Sequence, residues 1–196
     1  ELRSGSATNY IPPGTVIAYS FEVRDKGERV HRTPELEMMY TDNRFDWESV
    51  SSGLITVYYY GENAEEKAAA VVEGAEKAME RMAPLLGIEP TEPLRVISYN
   101  DYRHMSSAIP FRAQAVTEQL RTEGMAFADE RVLLVYTPDA TAKGTASHEF
   151  THLLVAQATG RARQRVPAWL NEGLAEYGNI ESTDDFDDAL RRAIST

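Results

Sequence analysis

Residues 144–160 read GTASHEFTHLLVAQATG, with two histidines four apart and a glutamate directly after the first. Thr145 suits a helix N-cap and Gly160 a helix stop, so the stretch predicts a helix over 146–158. Its expected core face carries Ala146, Phe150, Leu153, Leu154 and Gln157. Positions four apart lie about 40° apart around a helix of 3.6 residues per turn, so His148 and His152 project side by side and can reach one ion. Glu149, about 100° further round, comes within reach of a water on that ion. Two polar residues on an ordinary amphipathic helix would give the same five letters, so the decision falls to the surrounding sequence.

Downstream, VPAWLNEGLAEYGN at 166–179 places Pro167 at a helix start and Gly178 at a helix stop. Glu172 and Glu176 share one face of this second short helix, and nineteen residues separate His152 from Glu172. That is enough chain for the first helix to end, a loop to turn back and the second helix to face the first. Two imidazoles and one carboxylate leave a fourth position open, the arrangement of a catalytic rather than a structural zinc site. The chain has no cysteine, so a transition metal can be held only by His and carboxylate.

HEFTH followed by WLNEGLAEY resembles the gluzincin metallopeptidases, the clan of thermolysin and the aminopeptidase N-like enzymes, and in particular a bacterial peptidase MA-like family. The likeness is carried by residues 131–178. It implies a zincin-like α+β core in which His148, His152 and Glu172 bind Zn2+ and Glu149 is the catalytic base. Glu176 would orient a ligating histidine. The implied activity is hydrolysis of peptide bonds in peptide or protein substrates by a metal-activated water. The alternative is a non-catalytic metallopeptidase-like module, against which the presence of Glu149 weighs. The same likeness makes either RVLLVYTP at 131–138 or GMAFADE at 124–130 the sheet edge on which an extended peptide lies.

Residues 1–48 have a different texture. Apolar and polar positions alternate through Val16, Ala18, Phe21 and Val23, with a turn at Asp25-Lys26-Gly27 before Val30, which signals a hairpin, and ELEMMYTD adds a third extended piece. This segment reads as part of an immunoglobulin-like β-sandwich, followed from residue 49 by the metallopeptidase domain. From Leu54 a strand (LITVYYYG), a helix with Asn63 as N-cap and Gly87 as stop, a second strand (LRVISYN), short helices around Pro110 and a strand ending at Pro138-Asp139 follow in turn.

A net charge of -11 with 26% charged and 42% hydrophobic residues describes a globular chain and argues against nucleic acid as partner. Apolar runs are far shorter than a membrane span. His31 and His104 have no acid or histidine at ligand spacing and read as ordinary residues. The aspartates of ESTDDFDDALRRAI lack the glycine and final glutamate of a calcium loop, so they read as the acidic first turn of a helix. RARQR at 161–165 reads as a solvated loop between the ligand helices. In the enzymes this chain resembles, a later Tyr or His stabilises the oxyanion, yet NIESTDDFDDALRRAIST contains neither. The expectation is a fragment of a longer, exported protein, its catalytic domain truncated at the C-terminus and that donor beyond residue 196.

Overall fold

The structure, a computed structural model, describes residues 10–62, 64–109, 124–137, 142–181 and 191–192. Four short strands come first: β1 (Val16–Tyr19), β2 (Glu22–Arg24), β3 (Val30–Arg32) and β4 (Leu36–Met39). Then follow β5 (Glu48–Ser52), β6 (Ile55–Tyr59), α1 (Ala64–Leu86), β7 (Leu94–Tyr99) and α2 (Tyr102–Ala108). The last described elements are β8 (Gly124–Phe127), β9 (Val132–Tyr136), α3 (Ala142–Thr159), a 3-10 segment (Gly160–Arg165) and α4 (Ala168–Gly178).

β5 to β9 form one five-stranded sheet in the order β5-β6-β7-β9-β8. β6, β7 and β9 run parallel, while β5 and β8 are antiparallel at the two edges. The parallel strands are the ones rich in Val, Ile and Leu, as strands covered on both faces must be. Of the two stretches expected to supply a sheet edge, GMAFADE supplies the edge strand β8 and RVLLVYTP supplies the interior strand β9.

On one face, Ile55, Val57, Val96, Leu133 and Val135 meet α1 and α3 in the larger core. α1 contributes mostly alanine, including Ala68, Ala75 and Ala78, so that α3 can come close. Gly74 marks the nearest approach: a Cβ there would lie 2.6 Å from the Lys143 carbonyl oxygen. The expected stop at Gly87 holds. Its φ of 66° turns the chain, and the Ile88 N–H donates to the Ala83 carbonyl at 3.0 Å. On the opposite face Ile97, Tyr99, Val132 and Leu134 pack with Met105 of α2 and with Phe45, Trp47 and Tyr60.

Residues 10–15 and 40–47 belong to this second face. Gly14, at φ 96°, rests on Ile97 and Val132 with its carbonyl accepting from Arg95 Nε at 2.7 Å, and Tyr99 donates to Asp42 Oδ2 at 3.1 Å. β5 follows directly, from Glu48. Between them the chain leaves the body as β1 paired with β4 and β2 paired with β3, joined through the Thr33 N–H to Phe21 carbonyl bond. The predicted hairpin is therefore present. The described strands do not form the expected immunoglobulin-like sandwich, because they make one bent hairpin rather than two facing sheets. Most of its residues are exposed.

Two details of α3 differ from expectation. The helix begins at Ala142, so Thr145 lies in its first turn rather than capping it; Gly144 N–H donates instead to Glu181 Oε2 at 2.8 Å, a cap supplied from beyond α4. Gln157 has the right azimuth for the core but is exposed, because the last turn overhangs a cavity of about 320 Å³ bounded by Glu92, Leu94 and Leu153. Asn63, Pro110, Pro138-Asp139 and the 182–190 aspartates lie outside the described residues. No described helix is long and apolar enough to cross a membrane.

Candidate metal centre

α3 turns Ala146, Phe150, Leu153 and Leu154 into the core, which leaves His148 and His152 half-buried on the flank that faces α4. Their rings stand edge-on, with centroids 5.1 Å apart and planes at 82°. α4 starts immediately after Pro167, as expected, and ends at Gly178. The two helices are fixed by small and hydroxyl residues rather than by bulk. Buried Thr151 sits against Gly178, and the Ser147 hydroxyl accepts from the Ile180 N–H at 3.0 Å while donating to the Gly144 carbonyl at 2.9 Å. The Asn179 amide oxygen accepts from the Glu181 N–H at 3.0 Å, which holds Glu181 in position to cap α3.

This lock brings the predicted donors together. Glu172 Oε2 lies 3.6 Å from His148 Nε2 and 3.6 Å from His152 Nε2. One donor atom from each of the three residues falls within 4.8 Å of the other two. The 3.6 Å separations are long for hydrogen bonds but match the donor-to-donor edge, about 3.3–3.6 Å, of a tetrahedron with bonds of roughly 2.0–2.2 Å. The set therefore fits a small divalent cation. Glu176 Oε2 stands 3.4 Å from His148 Nδ1, behind the ring and away from the common point, where a carboxylate would fix the tautomer and the ring's orientation.

Electrostatics fit the same picture. Burial, and then the charge of Glu172, push the Glu149 carboxyl up to about 8. Burial lowers the His152 pKa and outweighs Glu172 and the Asn171 amide, which act in the opposite direction, so the surroundings favour the neutral imidazole. Sequence reasoning missed Asn171, although its position directly before Glu172 puts it on the same helix turn.

β8 roofs the site. A cleft of about 820 Å³ runs between it and α3, from Gly124 and Glu149 past His152 and Ala156 to Asp129 and Arg163. Arg163 closes the far end by a two-pronged bond to Asp129, at 3.0 and 2.9 Å. RARQR is thus solvated along its length, as expected, but as a 3-10 segment rather than a loop, and its Arg163 also lines the cleft wall. Among the described residues the lining includes no tyrosine and no third histidine. Tyr177 is exposed, with the Arg81 guanidinium 4.4 Å above its ring.

A mixed α/β core whose sheet edge overhangs a His-His-Glu cluster on two locked helices defines a peptidase-like module. The family model described as the peptidase MA superfamily matches residues 74–195, more than half of the chain, and the chain belongs to that superfamily. No curated protein matches it.

Proposed function

We propose that this chain is the catalytic module of a zinc-dependent peptidase. The observation that carries the reading is the convergence of His148, His152 and Glu172 next to a half-buried carboxylic side chain, Glu149, inside a cleft roofed by an antiparallel edge strand. The two imidazoles and the carboxylate would hold the ion, and their chemistry, with no thiolate available, suits zinc. Bound there, zinc would supply Lewis acidity toward a carbonyl oxygen and lower the pKa of water to about 7.

The rest is done by the chain's own groups. Glu149, charged once a cation sits beside it, accepts the proton of the attacking water and later returns it to the leaving amine. Glu176 keeps the His148 ring turned toward the common point. β8, an edge strand among the described residues, would offer backbone N–H and C=O groups to an extended peptide. Two measurements test the reading together: the metal content of the purified protein, and digestion of a peptide library by wild type and Glu149→Gln. Zinc near one per chain, with hydrolysis lost by about 100-fold or more in the variant at equal zinc, is the expected result. Equal hydrolysis by both would sink the mechanism. Zinc binding with no hydrolysis by either would favour a non-catalytic module.

A further inference from the structure

β8 alternates. Met125 and Phe127 pack into the core on the far face of the sheet, whereas Ala126 and Ala128 pack toward α3. Gly124 continues the α3-facing row, so three successive cleft-side positions carry a hydrogen, a methyl and a methyl. The step from methyl to hydrogen is not explained by backbone conformation, since Gly124 is not among the positive-φ glycines and an L-residue fits its extended geometry. Glycine is otherwise a poor strand residue, so its presence calls for a steric reason.

That reason is visible on α3. A Cβ built on Gly124 would stand 2.8 Å from Glu149 Cδ and 3.2 Å from its Oε1, with Cγ nearer still. The Glu149 side chain therefore occupies the volume that a side chain at 124 would need. No backbone atom is among the nearest neighbours, so the conflict would be relieved by swinging the glutamate rather than by moving the sheet. We infer that Gly124 is a positioning residue for Glu149: the missing side chain is the seat that keeps the carboxylate under the sheet edge and beside the three donors. The inference rests on the peptidase reading for its catalytic consequence, but not for its geometry.

The sharp test is a double-mutant cycle of Gly124→Ala and Glu149→Gln, read at matched zinc content, with a crystal structure of Gly124→Ala. The single variant should keep its zinc and its melting temperature, since His148, His152, Glu172 and the strand ladder are untouched. Its kcat should fall about 100-fold or more at similar KM, the scale of a lost general base. In the Glu149→Gln background the same substitution should cost no more than about two-fold, because the group it displaces has already been disabled. In the crystal the Glu149 carboxylate should be swung out of its place. Wild-type kcat in Gly124→Ala, an equal loss in both backgrounds, or an unmoved Glu149 would each overturn the inference. If Glu149→Gln proves as active as wild type, the peptidase mechanism fails, and the crystal structure still decides the positional claim.

Discussion

Gly178 of α4 lies against Thr151 of α3 so closely that an added Cβ would come within 3.0 Å of both Thr151 Cβ and Cγ2, and nearer still to its hydroxyl. Thr151 is one residue before the proposed ligand His152, and Gly178 two residues after Glu176. The contact therefore sets the separation of the helices that carry the two halves of the site. Gly178→Ala is expected to cost about 1–3 kcal/mol through overpacking and to weaken zinc as the helices part. Thermal unfolding of the zinc-free protein and a zinc titration measure the two effects separately; unchanged zinc affinity with lowered stability would show that the spacing is not set here.

The proposed function gives the carboxylates of α4 unequal roles. Glu172→Ala removes a donor that stands 3.6 Å from both imidazoles and should strip most of the zinc, whereas Glu176→Ala should weaken it by roughly 10- to 100-fold. Competition with a chelator ranks the two. The reverse order would mean that Glu176 is the ligand.

At the far end of the cleft, Asp129→Asn removes the charge that fixes Arg163. The pair is partly exposed, so stability should change by less than about 1 kcal/mol. The freed guanidinium should instead raise the cleavage of peptides with an acidic residue at that end relative to neutral ones. A library digest comparing the two proteins reads this directly, and identical profiles would place Asp129 outside the substrate path.

Asp42 links the N-terminal segment to the sheet. Its burial would raise the carboxyl pKa, but bonds from the Arg44 side chain and backbone and from Tyr99 outweigh this and hold it below the ordinary value of 3.8. A pKa depressed in the folded state contributes stability that is fully present above the unfolded value and is lost as pH falls through the folded one. Urea unfolding should thus show stability dropping below about pH 4. Asp42→Asn should be less stable near neutrality, by about 1–3 kcal/mol, and flatter across the acid range. A parallel acid dependence in both proteins would assign the loss to other groups.

Much of this candidate site was legible because its proposed ligands lie on two helices whose starts and stops are written locally: Pro167, Gly160 and Gly178 fell where the helices turn or end, and i,i+4 spacing brought the histidines together. What stayed hidden came from distant chain. The cap of α3 is Glu181, which no local pattern announces, and Thr145 was read as the cap in its place. Arg163 looked like a loop charge because Asp129, its partner, is 34 positions away. The hairpin of residues 16–39 was read correctly as strands, but periodicity cannot say whether a second sheet covers them. Gly124 gave no signal, since its meaning is the space another residue fills.

All three candidate donors lie within residues 148–172, while the roof above them is β8 at 124–127, brought in by its ladder with β9. On the proposed function, the reactive centre and the surface that would choose what reaches it are thus encoded in separate stretches of chain. On that reading, substitutions in the roof would redirect selectivity while the two donor-bearing helices stay as they are, so a lineage or an engineer could vary the diet of such a peptidase without rewriting its chemistry.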